Sequence, residues 1–165
     1  MYNSTPSSFR LVCEMNNAFG NKRGSYDDVS FERLEAQSKN IADEYNELID
    51  AIAAKDLEAV RDALCDIQVF AMGAQHLIGV NGDKDMRAVV EGVMTRFVKN
   101  ASDLELTKEL HAKKGVVDVY TEGQFPRMIL KSASDQPDAP KGKFLKSASY
   151  KNTVFPAVHV AKLKE

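Results

Sequence analysis

The chain has no tryptophan, only two cysteines and five prolines, and no long apolar run; each shortage narrows what it can be. Cys13 and Cys65 lack the paired spacing of a zinc site. Both fall in predicted helices among apolar neighbours, so buried reduced thiols are expected, which suits a cytoplasmic setting. No stretch is long enough to span a bilayer, and the N-terminus lacks a charged region followed by an apolar core, so neither a membrane nor a secretory route is expected. Charge of one sign is also missing. A net charge of −2 gives no global reason to expect nucleic-acid binding. The tail is locally basic, with Lys141, Lys143, Lys146 and Lys151, yet no spaced set of aromatics accompanies them.

What is present is ordinary in amount and specific in arrangement. A chain of 165 residues, 44% hydrophobic and 28% charged, fits one domain with a real core. Leu11, Val12, Met15, Ala18 and Phe19 recur at helical spacing after a Ser7 or Ser8 cap, and Gly20 stops the pattern. A second helix is predicted over 31–54 behind Ser30, with Phe31, Leu34, Ile41, Tyr45, Leu48 and Ile52 as its core stripe. Lys55-Asp56 is a very short connection, so a third helix over 57–78 must pack antiparallel against it. Val60, Leu64, Ile67, Phe70 and Ala71 supply its packing surface.

A fourth helix is predicted over 85–100, with Met86, Val89, Val90, Val93, Met94 and Phe97 apolar, and a shorter fifth over 103–114. The pattern then changes. Residues 116–120 and 127–130 flank a glycine-bearing turn and predict a β-hairpin, while 132–153 are Ser-, Asp-, Pro-, Gly- and Lys-rich loop. The expected fold class is all-α: an antiparallel bundle of four to five helices with a C-terminal β-hairpin and a loop-rich tail. Residues 1–115 form the helical domain, and 116–165 the hairpin and basic tail of the same structural unit.

The acids carry the chemistry. Asp43-Glu44-x-x-Glu47 lies near the middle of the second helix, and Asp62-x-x-x-Asp66 on the third. Steps of three and four residues put side chains on one helical face, and the short connection brings the two groups together. Acids so clustered repel one another unless a cation sits among them, and carboxylate-rich sites suit Mg²⁺ or Mn²⁺ and phosphate chemistry. For any single acid a solvated face is the plain alternative. Two groups on consecutive helices, each beside an apolar stripe, favour the metal.

With these residues in place the chain resembles the all-α nucleoside triphosphate pyrophosphohydrolases, the superfamily of MazG-like proteins, dimeric dUTPases and phosphoribosyl-ATP pyrophosphatases. The likeness rests on Asp43–Glu47, on Asp62–Phe70 with Gly73 and Gly79-Val80, and on Glu14–Gly20. Lys141–Ser147 with Tyr150 and Pro156 is similar to the C-terminal segment of the small phage-type members. Two departures stand out. The usual Glu-x-x-Asp of the second motif would put a glutamate at Ala63, where Asp62 stands one position earlier. The Asn-x-Ser-Lys element of relatives is replaced by Arg96–Asn100.

The resemblance implies hydrolysis of a nucleoside triphosphate between its α and β phosphates, with Mg²⁺ as cofactor and Mn²⁺ able to substitute. It implies Glu44, Glu47, Asp62 and Asp66 as metal ligands, and Asp43 as a further ligand or the base for water; an exposed helix acid is the alternative for Asp43. Asp43, Glu44, Glu47 and Asp66 form the catalytic set. Asn16, Lys99, Lys143 and Lys146 are the candidate substrate contacts, and His76 is expected to pack rather than bind. The implied assembly is a homodimer or homotetramer in the cytoplasm, that of the bacterial host if the protein is phage-encoded. A phosphoribosyl-ATP pyrophosphatase-like enzyme and a catalytically silent helical oligomerisation module are the competing readings.

Overall fold

The computed structural model describes residues 5–158. Five helices come in chain order: α1 (Ser8–Ala18), α2 (Phe31–Ala54), α3 (Leu57–Ile78), α4 (Gly82–Met94) and α5 (Ala101–Ala112). Three short strands follow, β1 (Val119–Glu122), β2 (Ile129–Ser132) and β3 (Phe144–Leu145). The fold is thus mainly helical, with a small antiparallel sheet in the order β1-β2-β3. The chain divides into two compact units, with the boundary inside α4. One comprises residues through Asp85 together with the chain from Pro156 on; the other is Met86–Phe155.

The helical unit is built on α2 and α3. Ser30 caps α2 by accepting from the Arg33 backbone N–H at 3.4 Å, and Asp56 caps α3 by accepting from Glu58 and Ala59 at 3.0 and 3.1 Å. Lys55 ends α2 in the left-handed conformation (φ 58°), which turns the chain within two residues and lays α3 back along α2. At the far end Gly79 (φ 84°) caps α3, and Arg23 donates to the Gly79 and Val80 carbonyls at 2.9 and 2.8 Å. Gly24 donates its N–H to the His76 carbonyl at 3.1 Å. A Cβ on Gly24 would stand 1.7 Å from the Leu77 carbonyl oxygen, so only glycine permits this crossing.

Several expectations need correction here. Of the predicted α2 stripe, Leu34, Ile41 and Leu48 are half-buried, but Phe31, Tyr45 and Ile52 are 79%, 55% and 58% exposed. Ala51 is the one buried residue of α2, because the close approach of α3 favours a small side chain. Cys13 is half-buried, and Cys65 is exposed rather than buried, since it falls on the outer side of α3. The predicted fourth helix over 85–100 actually runs from Gly82 to Met94. Asn81 opens it by accepting from the Lys84 N–H at 3.1 Å. Tighter bonds from Thr95 to Gly92 and from Arg96 to Val93 end it, and Val98 then pairs with Met128 in an isolated bridge. Among the described residues no single helix is long and apolar enough to cross a membrane.

The second unit closes around Val98, Val116, Leu130, Ala139 and Leu145, with Leu104, Val119 and Met128 packed against them. The hairpin pairs Val119 with Ser132 and Glu122 with Ile129, so it starts and ends two to three residues later than predicted. The expected loop of 132–153 contains β3, whose Leu145 pairs with Leu130 and buries a side chain in this core. A two-residue strand leaves too little alternation to be visible in sequence. Asn100 caps α5, and the Asp103 carboxylate accepts from the Lys99 N–H at 3.0 Å.

Candidate active site

Glu44 is half-buried on α2, and Asp66 on α3 is half-buried as well; Asp43, Glu47 and Asp62 are exposed. The Glu44 carboxyl is held above the ordinary range, first because it is withdrawn from water, then by the negative charges of Glu47, Asp66, Asp62 and Asp43 in that order. One group therefore senses all four others. The spacing within α2 and the return of α3 bring both acid groups into one neighbourhood, as the sequence implied.

Among the described residues none of the five side chains accepts a hydrogen bond or pairs with a cation. The acids that do pair, Glu14, Glu35, Glu58, Glu105 and Glu122, are all elsewhere. Nor do three His, Cys, Asp or Glu side chains converge closely enough to form a ready coordination set among the described residues. The donor chemistry still fits a divalent ion: several carboxylate oxygens, mutual repulsion and no competing ammonium or guanidinium. Ala63, where the resemblance leads one to expect a glutamate, is only 3% exposed, while Asp62 on the neighbouring flank contributes to the field at Glu44.

A polar cradle lies further along the same helices. Asn16 is buried; its amide donates to the Val12 carbonyl at 3.0 Å and accepts from Asn21 at 3.4 Å. Gln37 points its side-chain carbonyl at the same place and accepts no bond. Gly73 of α3 makes room for both: a Cβ there would meet Gln37 Oε1 at 3.5 Å and Asn16 Nδ2 at 3.6 Å. Gln37 went unnoticed in the sequence, although it precedes Glu44 by seven residues, two turns on one face. His76 is fully buried; its Nε2 donates to the Asn21 carbonyl at 2.9 Å, which fixes the loop after α1 and leaves Nδ1 unpartnered. Of a packing or a surface role, it takes the packing one.

The lysines fall in the other unit. Lys99 is exposed beside the α5 cap, where its backbone N–H is bound by Asp103. Lys143 and Lys146 line a cavity of about 550 Å³ together with Arg96, Lys114 and Tyr150. The family model for phosphoribosyl-ATP pyrophosphohydrolase matches residues 12–97, just over half of the chain, and includes all five acids and the Asn16–Gln37–Gly73 cradle. No curated protein and no solved structure matches the chain.

Proposed function

Because the chain belongs to the phosphoribosyl-ATP pyrophosphohydrolase family, we propose that it is a Mg²⁺-dependent nucleoside triphosphate pyrophosphohydrolase, yielding a monophosphate and pyrophosphate. Pyrophosphohydrolase chemistry follows from the family; the triphosphate substrate and the metal are our reading. The observation that carries it is the negative charge gathered at Glu44, on which four acids of α2 and α3 act together, with no cation paired to any of them among the described residues.

Glu44, Glu47, Asp62 and Asp66 would hold the ion, with Mn²⁺ able to replace Mg²⁺. Bound there, it would supply counter-charge for the polyphosphate and polarise the phosphoryl group. Asp43, exposed on the α2 flank, takes the proton from the attacking water or adds an oxygen ligand. Partial withdrawal from water and the four acids around it hold the Glu44 carboxyl above the ordinary range, and a cation there would relieve that repulsion. Asn16 and the carbonyl of Gln37, side by side against Gly73, would offer hydrogen-bonding groups to the base or sugar. A complementary donor on the nucleotide would satisfy Gln37, whose buried carbonyl otherwise lacks a partner.

The family match fits phosphoribosyl-ATP equally well as substrate. The segment Lys141–Ser147 with Tyr150, which lies beyond the matched residues, supports the small MazG-like type instead. Exposed Tyr45, Ile49, Ile52, Leu57 and Leu64 on α2 and α3 support burial against a second copy of the chain, as a homodimer or homotetramer. A monomeric mass by sedimentation would refute that assembly. Such an enzyme works on the nucleotide pool of the cytoplasm.

The test is a panel of dNTPs, NTPs and phosphoribosyl-ATP, assayed for pyrophosphate release with Mg²⁺ or Mn²⁺. The expected result is release from at least one triphosphate, lowered by about two to three orders of magnitude in Glu47→Ala. Turnover of phosphoribosyl-ATP alone would reassign the substrate. An unchanged rate in Glu47→Ala would remove that residue from the site.

A further inference from the structure

We propose that the second unit holds a binding site of its own for a phosphate-class polyanion, in the cavity between α5 and the chain that follows β3. The resemblance made Lys143 and Lys146 candidate substrate contacts; the site proposed here is argued from the cavity of the second unit and does not depend on the pyrophosphohydrolase reading. The cavity, of about 550 Å³, has the size of a small-molecule pocket rather than a single-ion site. Arg96, Lys114, Lys143 and Lys146 line it against one carboxylate, Asp138, so cations outnumber acids four to one.

Three of the four cations have partners that hold them in place. Lys146 sets its ammonium 4.2 Å from the centre of the Tyr150 ring, and the Arg96 guanidinium lies 5.8 Å from the same centre. Lys143 donates to the Asp138 carbonyl. The segment carrying Lys146 and Tyr150 is itself fixed at several points. Ser147 donates its hydroxyl to the Thr95 carbonyl at 2.8 Å and its N–H to the Arg96 carbonyl at 3.3 Å. Ala148 donates to the Thr107 hydroxyl at 2.9 Å, and the His111 ring donates to the Lys146 carbonyl at 2.9 Å. Ser147 and Thr107 are almost wholly buried, so these bonds are shielded from water.

One donor in this frame lacks an acceptor. Arg96 Nε is buried and makes no hydrogen bond among the described residues, an arrangement that native proteins avoid unless a partner arrives. A guanidinium fork, three ammonium groups and apolar walls such as Leu110 and Phe144 suit a multiply charged tetrahedral anion. Inorganic phosphate, pyrophosphate and the phosphate tail of a nucleotide share that chemistry.

The test is calorimetric titration of the full chain at low ionic strength in EDTA, where acids without a divalent ion repel phosphates. Separate arms use inorganic phosphate, pyrophosphate and an α,β-imido deoxynucleoside triphosphate, with citrate as a polyanion lacking phosphorus. Saturable one-to-one binding is expected in at least one phosphate arm, and the tightest arm identifies the source. The Lys114→Gln/Lys146→Gln double variant should bind about tenfold more weakly or worse. Arg96→Lys, which retains the charge and loses the fork, should also weaken binding and serves if the double variant misfolds. The pyrophosphate-release assay run on the same variants reads the acid site separately from this one. Absence of saturable heat in all three phosphate arms, citrate binding as tightly as pyrophosphate, or wild-type affinity in the folded double variant and in Arg96→Lys would overturn the proposal.

Discussion

In the helical unit, four carboxylates of α2 and α3 act on a fifth, Glu44, with no cation paired to any of them among the described residues; in the strand-bearing unit, four cations line a cavity against a single carboxylate. Their apolar interiors differ as well. The strand-bearing unit closes a core in which Val98 and Leu130 are fully buried, whereas the 24 residues of α2 bury only Ala51. Like charges gathered at one place raise the energy of the fold, so neither collection is a device for stability. The ion pairs that support helices are the exposed ones three or four residues apart, such as Arg10–Glu14 and Arg61–Glu58. The two same-sign collections are where ligands of opposite charge would compensate the repulsion.

The sharpest way to break this comparison is through the cores. Leu130→Ala should destabilise the protein by about 3 kcal/mol, measured by urea unfolding, because it leaves a cavity in a closed core. Ile52→Ala on α2 should cost well under about 1 kcal/mol in a monomer. Equal costs at the two positions would mean that the α2 face is covered by another subunit.

Next in size is the response to Mg²⁺. At a hundredfold excess over its dissociation constant, a metal bound only by the folded chain stabilises it by about 2.7 kcal/mol. A rise in Tm on adding Mg²⁺ is expected for the wild type and not for an Asp66→Asn/Glu47→Gln variant. Equal shifts in both proteins would separate these acids from the metal.

Gly73→Ala should discriminate folding from function. The added methyl meets Gln37 and Asn16 at ordinary contact distance, and alanine favours the helix by up to about 1 kcal/mol. Stability should hold or rise while KM for the nucleotide increases, because the cradle between Asn16 and Gln37 is filled. An unchanged KM would place the base or sugar elsewhere.

The smallest effect lies on the hairpin, where Lys131 donates to Glu122 at 2.6 Å. This bond holds the Glu122 carboxyl below its ordinary value of 4.5 and the Lys131 ammonium above its ordinary 10.5. Stabilisation from Glu122 is present above the unfolded value and lost as pH falls through its lowered folded value. That from Lys131 is present below its unfolded value and lost as pH rises through its raised folded value. Glu122→Gln should therefore lower Tm slightly at neutral pH, and the difference from wild type should vanish in acid. Both groups are partly open to solvent, so the effect is small.

Much of the helical unit was legible in the sequence. The bounds of α2 and α3 follow from Ser30, from the Lys55-Asp56 connection and from Gly79. Less could be read beyond Asp85. The end of α4 depends on Val98 leaving the helix to pair with Met128, thirty residues away, and no local periodicity records that. β3 is too short to display alternation, and Gln37 looked like one polar helix residue among many until Gly73 was seen to approach it.

The sequence by itself determined where the long helices start and stop and that five acids share one neighbourhood, because caps and side-chain period act within a few residues. Only the tertiary structure decided which apolar residues are covered, that Glu44 and Asp66 are the half-buried acids of the five, and that Arg96, Lys114, Lys143 and Lys146 line one cavity. Burial and long-range charge depend on segments distant along the chain, and no window of neighbouring residues contains them.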